Sequence, residues 1–240
     1  MENKKTNIRI NKYLSDAGIC SRREADKIVA AGKVFIDGQV AQVGSVVHTG
    51  QKVTLGKKTI EPKDRIVVLA VNKPRGIVCT AEKKERHNIH RLLKYPQRIT
   101  YAGRLDKNSR GLLLMTNDGD LINQLMRAKH FHEKEYQVKV DKEITTDFME
   151  KMSQGVEILD TITRPCQLKK LGKYTFQIIL SQGLNRQIRR MCQALGYEVK
   201  DLLRTRIVTV ELGNLSEGSY RELGEEEILS LREAIQRDGK

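Results

Sequence analysis

The prediction of fold and function rests on one stretch, Gly103-Arg104-Leu105-Asp106-Lys107-Asn108-Ser109-Arg110-Gly111-Leu112-Leu113-Leu114-Met115-Thr116. Asp106 lies there in a turn between two short apolar segments, 99–102 and 112–116, and both segments predict strands. If the backbone is extended around Asp106, Arg104 projects to the same side and Leu105 to the other, because successive side chains of a strand alternate. An Asp in a turn is most often a structural cap, so this stretch alone leaves both a structural and a catalytic role open.

A second basic cluster lies further along the chain, Asn185-Arg186-Gln187-Ile188-Arg189-Arg190-Met191. The pattern predicts a helix over 186–195, capped by Asn185, with an apolar stripe of Ile188, Met191, Cys192 and Leu195. At about 100° per residue, Arg186 and Arg190 lie opposite that stripe and Arg189 lies at its edge. A half-buried Arg needs an anionic partner, although an Arg whose stem covers apolar surface fits the same position.

The N-terminal part predicts a small unit of two helices and a hairpin over 8–56. Ser21 is expected to cap its second helix, and Arg22 and Arg23 follow in the first turn. Cations at the positive end of a helix dipole cost about 0.3–1 kcal/mol each. A helix N-terminus with two guanidinium groups suits a phosphodiester, whereas two solvated arginines are the alternative interpretation.

The rest of the chain predicts a larger α+β unit, since helices and strands mix without a regular βαβ repeat. We divide the sequence into a polar tail (1–7), the small unit (8–56), a linker (57–64) and the large unit (65–240). Within the large unit, strands are expected at 66–71, 77–80, 99–102, 112–116, 136–140, 161–170, 173–180 and 204–212. Its helices are expected near 121–127, 147–153 and 186–195 and at the C-terminus.

Composition points to a polyanionic partner. The 240 residues carry 44 basic and 30 acidic side chains, a net charge of +14, and nucleic acid is the usual partner of such an excess. A membrane surface and simple solubility are the alternatives, but the sequence shows neither a basic amphipathic helix nor a lipidation motif. Four scattered cysteines and a polar N-terminus predict a reduced, cytoplasmic protein. The absence of Cys-x-x-Cys and glycine-rich nucleotide motifs predicts no metal and no cofactor.

The small unit resembles an S4 RNA-binding domain. The resemblance rests on Ile-Asn-Lys-Tyr-Leu-Ser-Asp-Ala-Gly, Ser-Arg-Arg-Glu-Ala and Val-Phe-Ile-Asp-Gly, and it covers 8–56. It implies a set of RNA-facing cations, namely Arg9, Lys12, Arg22, Arg23 and Lys27. An S4 domain by itself does not imply catalysis.

Four further segments resemble, in order and spacing, the motifs of the RsuA-type pseudouridine synthases: Lys73-Pro74-Arg75-Gly76, Gly103 to Thr116, Lys134-Glu135-Tyr136 and Arg186 to Met191. The resemblance implies an α+β fold with a cleft between two halves of a mixed, mostly antiparallel sheet. It also implies that Asp106 is the catalytic aspartate, Arg189 its partner and Tyr136 the active-site tyrosine. The sequences of segments 132–136 and 182–187 are most similar to the RluF branch, which modifies 23S ribosomal RNA and, by resemblance, a tRNA anticodon. Ile207-Val208 departs from the Ile-Gly of many relatives.

Conversion of uridine to pseudouridine is a redox-neutral isomerisation, and its main requirement is an ionised carboxylate near the sugar C1′. An adjacent Arg keeps Asp106 deprotonated. The carboxylate then attacks the sugar, stabilises a cationic sugar or attacks the base, and these routes stay open. The uridine must leave its stack, and Tyr136 offers it a flat surface. Further RNA contacts are expected from Lys73, Arg104, Arg186 and Arg190, and pocket walls from Leu105, Leu202 and Leu203.

Two other functions remain possible on the sequence alone. A non-catalytic S4-type RNA-binding or ribosome-assembly factor shares the charge and the small unit, but it does not account for Asp106, Arg189 and Tyr136. A glycoside or nucleoside hydrolase generally uses two carboxylates, whereas the motifs here offer one acid among arginines. The protein is expected to act as a monomer.

Overall fold

The computed structural model describes residues 7–61, 65–82, 84–126 and 132–237. The chain separates into two compact units. The first comprises residues up to 66 together with 96–99 and 117–119, and the second comprises the remainder. Within the described part, no helix combines the length and the apolar character that crossing a membrane requires.

The first unit builds a small core from two helices and short strands: β1 (Ile8–Arg9), α1 (Ile10–Asp16), α2 (Arg22–Ala30), β2 (Val34–Ile36), β3 (Gln39–Val40), β4 (Val46–Val47), β5 (Val53–Leu55) and β6 (Lys58–Ile60). Ser21 caps α2 as predicted, since its Oγ accepts a hydrogen bond from the Glu24 amide at 3.2 Å. The predicted turn between β2 and β3 is confirmed, with Asp37 and Gly38 both at positive φ. Ile10, Leu14, Ala25, Val29, Val34 and Val53 fill the core.

The predicted linker over 57–64 begins inside this unit. Strand β6 pairs antiparallel with β5, with Lys58 opposite Leu55. The Tyr13 hydroxyl donates to the Ile60 carbonyl at 2.9 Å, which fixes the end of β6 against α1. A charged sequence such as Lys57-Lys58 resembles a linker, but here it turns an edge hairpin. Residues 62–64 of the predicted linker lie outside the described residues.

The second unit contains β7 (Val68–Lys73), α3 (Ile89–Leu93), β8 (Thr100–Ala102), β9 (Arg110–Thr116), α4 (Gly119–Met126), β10 (Lys134–Val140), α5 (Thr146–Gln154), β11 (Glu157–Ile158), β12 (Thr161–Ile162), β13 (Gln167–Gly172), β14 (Thr175–Leu180), α6 (Gln187–Ala194), β15 (Val199–Ile207), β16 (Val210–Glu211), β17 (Tyr220–Glu222) and α7 (Glu225–Arg237). A nine-stranded sheet runs in the order β13-β14-β10-β15-β9-β7-β17, with β16 beside β15 and β8 beside β9. Its pairings are antiparallel except for β9 with β15, so the predicted mixed, mostly antiparallel sheet is confirmed.

The two halves of this sheet meet at one short parallel pairing, Leu203 with Arg110 and Arg204 with Gly111. Each half has its own core: Val138, Phe148, Phe176, Ile188 and Met191 on one side, and Leu112, Leu114, Leu121 and Leu231 on the other. At the junction a Cβ on Gly111 would lie 2.4 Å from the Arg204 carbonyl oxygen, and φ there is +103°. Only glycine allows this approach, so the strand that leaves the Asp106 turn is clamped where the halves join.

The structure differs from the predicted elements in several places, among them the unpredicted helix α3 and the division of the predicted strand 204–212 into β15 and β16. Residues 77–80 form no strand, because the Val78 amide bonds instead to the His87 carbonyl at 2.8 Å and leaves a single bridge to Asn88. The predicted strand 161–170 is split into β12 and β13. Strand β17 was not predicted and pairs with β7 at the edge of the sheet.

Candidate active site

The Asp106 turn connects β8 to β9 and is held by backbone bonds. The Ser109 amide donates to the Asp106 carbonyl at 3.1 Å, and the Gly76 amide donates to the Lys107 carbonyl at 2.8 Å. Leu105 is buried, at 6% exposed, while the Asp106 side chain keeps 34% of its surface. The turn is therefore anchored through Leu105 and leaves the Asp106 carboxylate partly exposed.

Arg186 is the direct ionic partner of this carboxylate. Its Nη1 lies 3.6 Å from the Asp106 Oδ2, and both side chains are partly exposed. Arg186 is the residue that precedes α6, with a left-handed backbone at φ 50°, so the predicted cap at Asn185 is wrong by one position. Strain of this kind costs about 1–3 kcal/mol and is concentrated at functional sites. The left-handed turn, rather than the helical face, determines where the Arg186 side chain points.

Arg189 lies beside the same turn but bonds to its backbone. Its Nη2 donates to the Asn108 carbonyl at 2.9 Å, and its Nη1 donates to the Val199 carbonyl at 3.1 Å. Burial and the nearby Arg186 lower the pKa of Arg189, and the Asp106 charge opposes that shift. Arg189 is thus half-buried, as predicted, and electrostatically coupled to Asp106. The predicted direct pairing of the Arg189 and Asp106 side chains is replaced by hydrogen bonds from Arg189 that connect α6 to the backbone of the Asp106 turn.

Tyr136 lies in the same row of the sheet as the end of the turn. On β10 it is opposite Arg204 of β15, and Arg204 is in turn opposite Gly111 of β9. Two strand spacings put Tyr136 about 10 Å from Gly111. Its ring is partly buried against the core of the first half of the sheet. The Tyr136 ring therefore lies near the junction of the two halves of the sheet, on the strand that is separated from β9 by β15.

The predicted pocket leucines lie on different faces. Leu202 is 6% exposed and belongs to the same core as Tyr136. Leu203 is partly buried and packs against the core of the other half. Leu105 is buried beneath the Asp106 turn. Adjacent residues of one strand cannot line the same wall.

Lys73 was predicted to contact RNA, but its side chain has no exposed surface in this structure. It is 0% exposed, and its Nζ donates to the carbonyls of Pro74 at 2.8 Å and Ile77 at 2.9 Å. Burial lowers its pKa to about 8, against the opposing influence of Cys79 and Asp106. The ammonium group therefore closes the turn at 74–77 from inside rather than binding a phosphate.

Asp201 joins three segments of the site and was not predicted. Its carboxylate accepts hydrogen bonds from Arg75 and, at 2.7 Å from Oδ2, from the Nη2 of Arg110. Arg75 also donates to the Lys200 carbonyl at 2.9 Å. Burial raises the pKa of Asp201, but the hydrogen bonds from Arg110 and Arg75 outweigh it and hold the pKa at about 2. Its partners are 126 and 91 residues away in sequence, so no local pattern indicates the cluster.

A cleft of about 720 Å³ opens beside the turn. It is lined by Arg75, Asn108, Asp141, Arg186, Arg189, Gln193, Gly196, Tyr197, Glu198, Val199 and Lys200. Of two more predicted RNA contacts, Arg104 is exposed on the turn, and Arg190 of α6 donates from its Nε to the Asn185 carbonyl at 3.0 Å. The structure thus places Arg186 and Arg189 on one concave surface, and Arg186 also pairs with Asp106.

The predicted RNA-facing cations of the first unit are mostly exposed. Arg9, Arg22, Arg23 and Lys27 are open to solvent. Lys12 is half-buried and forms an ion pair with Asp16 at 3.0 Å. Four of the five predicted cations are therefore accessible to a phosphate backbone, and the fifth is partly neutralised.

The remaining titratable residues show no arrangement for a metal. Among the described ranges, no three His, Cys, Asp or Glu side chains are grouped to hold an ion. His132 is buried, and its Nε2 lies 3.1 Å from the Gln124 carbonyl oxygen. His130 lies outside the described residues.

Comparison with known proteins places this geometry in a family. The model of the RNA pseudouridylate synthase family matches residues 67–194, and that of the S4 domain matches residues 8–53. The dual-specificity RNA pseudouridine synthase RluF of Escherichia coli strain K12 is 48% identical over 96% of this chain and 80% of its own length. The ribosomal large subunit pseudouridine synthase B of Bacillus subtilis strain 168 is 34% identical over 93% and 95%.

Solved structures agree with the sequence comparison. A structure described as "Crystal structure of pseudouridylate synthase" superposes with a TM-score of 0.69 at 29% identity, covering 93% of this chain and 99% of the other. The predicted resemblance to RsuA-type enzymes is thereby confirmed, as is the S4 domain. The chain belongs to the RNA pseudouridine synthase family.

Proposed function

We propose that this enzyme converts a uridine of 23S ribosomal RNA to pseudouridine in the cytoplasm, with Asp106 as the catalytic carboxylate and with a tRNA anticodon as a second substrate. The observation that carries the proposal is the half-exposed Asp106 carboxylate, which an ion pair to Arg186 holds at the rim of a cationic cleft. The large-subunit substrate follows the name of the Bacillus relative, and the second substrate follows the dual specificity named for RluF.

Asp106 is suited to act on the sugar of an extruded uridine. The guanidinium group of Arg186 lies 3.6 Å from the carboxylate, and the hydrogen bond from Arg189 to the Asn108 carbonyl limits the movement of the turn. A fixed carboxylate costs little reorganisation when positive charge develops at C1′ or when a covalent bond forms there. Because the base is retained and reattached through carbon, no water takes part in the net reaction.

Tyr136 supports the retention of the detached base. Its partly buried ring lies in the row that runs from the Asp106 turn across the sheet junction. An aromatic face there replaces the stacking that the uracil loses when it leaves the helix, a cost of a few kcal/mol. The base can then rotate while it is held, and its C5 can be presented to the sugar. Arg104, exposed on the turn, is suited to bind a neighbouring phosphate.

The S4 domain supplies affinity. Exposed Arg22, Arg23 and Lys27 on one helix suit the phosphates of a folded RNA rather than a base sequence. Selection of the target uridine then comes from the shape that both domains can contact at once. We expect the protein to act as a monomer, because each chain carries both the S4 domain and the Asp106 turn.

Tritium release tests the proposal. Transcripts of 23S ribosomal RNA and of tRNA, labelled with tritium at C5 of uridine, are incubated with the enzyme, and the released label is counted. We expect one equivalent per 23S transcript, with the site then mapped by pseudouridine-specific chemical modification. Tight binding without release would instead identify a non-catalytic RNA-binding factor, and free uracil would identify a hydrolase.

A further inference from the structure

The cleft beside the Asp106 turn extends beyond the residues that the reaction needs. Neither Asp106 nor Tyr136 is among its lining residues. Its volume of about 720 Å³ lies within the range of pockets that enclose a ligand of nucleotide size. The cleft begins one side chain away from the catalytic carboxylate, because Arg186 both lines it and pairs with Asp106.

One end of the cleft is cationic. Arg75 and Arg186 each keep 46% of their side-chain surface exposed, and Arg189 of α6 also lines the cleft. Asp201 and the Lys200 carbonyl fix the Arg75 guanidinium through its Nη2, so its position is set before any ligand arrives. Two preset guanidinium groups around one concavity form a site for a phosphate.

The other end offers an aromatic edge and an amide. Tyr197 is held by its hydroxyl, which donates to the Glu143 carbonyl at 3.0 Å, and by Phe148, whose ring centroid is 4.2 Å away. Gln193 is exposed on α6, and within the described residues its side-chain amide makes no hydrogen bond. Gly196 leaves open space between them, since a Cβ there would meet nothing within 4 Å.

The acidic residues of the cleft are already engaged. The Asp141 Oδ1 accepts from the Glu198 amide at 2.7 Å, and the Glu198 carboxylate pairs with Lys200 at 2.6 Å. Their charges are therefore partly compensated and do not repel a phosphate held at the arginine end. Carboxylate oxygens accept hydrogen bonds, so the part of the cleft near Asp141 and Glu198 favours a base edge that donates them.

We propose that the cleft is a second nucleotide subsite, which binds the nucleotide directly next to the target uridine. Its phosphate lies between Arg75 and Arg186, and its base contacts Gln193 and the edge of Tyr197. The inference rests on the proposed function, since the neighbouring nucleotide is defined by the uridine at Asp106. The subsite holds the strand on one side of the extruded uridine and thereby fixes the sugar relative to the carboxylate.

Kinetics of the full-length enzyme test the subsite. In Gln193→Ala we expect KM for the 23S transcript to rise about fivefold, the effect of one lost hydrogen bond, with kcat within about twofold. Gln236→Ala, which removes an exposed glutamine from α7, is the matched control and should change neither constant. Removing the base on either side of the converted uridine should weaken wild-type turnover at one of the two positions. That loss should disappear in Gln193→Ala, because both changes delete the same contact.

Photocrosslinking provides a readout that does not require turnover. Transcripts substituted throughout with 4-thiouridine or 6-thioguanosine are irradiated with the enzyme, and the adducts are located by mass spectrometry. Adducts on residues 193–200 support the subsite even if the wild-type enzyme releases no tritium, in which case only the proposed function fails. Tritium release together with an unchanged KM in Gln193→Ala, or adducts confined to other parts of the second unit, would overturn the subsite.

Discussion

The cations of the S4 domain and those of the cleft are built differently. Arg22 and Arg23 are exposed at the start of a helix, where the dipole disfavours them. Arg189 is half-buried and donates to two backbone carbonyls, and Arg75 is fixed by Asp201. Exposed charge suits a phosphate backbone that can be met in many registers, whereas fixed charge suits groups that must be held at one position. The exposed cations of the S4 domain therefore suit RNA binding, and the fixed cations of the second unit suit the catalytic step.

Among changes to the two sets of cations, the largest effect should come from loosening a fixed one. Arg189→Lys keeps the charge, but a single ammonium group cannot reach both the Asn108 and the Val199 carbonyls. We expect kcat to fall on the order of 10²-fold with KM changed less than about threefold, because the turn that carries Asp106 loses its brace. Arg190→Lys, one residue along α6, is the control and should retain kcat. Retention of kcat in Arg189→Lys would mean that Arg189 contributes charge alone, and an equal loss in Arg190→Lys would mean that the effect is not specific to the Arg189 contacts.

A smaller effect should come from removing the exposed cations of the S4 domain. In the double variant Arg22→Gln, Arg23→Gln we expect kcat to be unchanged and RNA affinity to weaken. The slope of log affinity against log salt should fall by about 1.5, the contribution of two phosphate contacts. Filter binding over a range of salt concentrations measures this. Lys151→Gln with Arg237→Gln, two exposed cations of the second unit, should leave the slope near its wild-type value, and a matching decrease there would remove the distinction.

Asp201→Asn probes the anchor of the fixed cations. The folded pKa of about 2 is below the unfolded value of about 3.9, so the carboxylate contributes stability above pH 4 and loses it as the pH falls through 2. We expect the variant to lose about 1–2 kcal/mol of unfolding free energy at pH 7, after allowance for partial exposure. Urea unfolding at several pH values should show this difference shrink below pH 4. A difference that is independent of pH would exclude the ion cluster as its cause.

The smallest effect concerns backbone strain at the end of β15. Val208 is 8% exposed with φ 52°. In Val208→Gly, relief of about 1–3 kcal/mol of strain offsets the lost burial of about 1.5–3 kcal/mol, so unfolding free energy should shift by less than about 1 kcal/mol. Val210→Gly, at an unstrained and buried position, should cost about 3 kcal/mol. Similar losses in both variants would show that Val208 is not strained.

The sequence predicted the site where the pattern is local. The Asp106 turn lies between two apolar segments, and α6 shows a clear stripe, so both could be placed. The exchange of roles between Arg186 and Arg189 could not be predicted, because a helical wheel does not apply to a left-handed residue outside the helix. The exposure of Lys73 was predicted from its charge. Its ammonium group is instead buried, where it donates hydrogen bonds to carbonyl groups of the following turn.

Asp106→Asn tests the central claim most directly. Its single-turnover rate of tritium release from the 23S transcript is compared with its RNA affinity, with Asp147→Asn on the exposed face of α5 as the control. We predict at least a 10³-fold slower release, on the order of removing an essential group, with affinity within about threefold of wild type. Release at the wild-type rate would contradict the account, because the carboxylate held by Arg186 would then have no part in the chemistry.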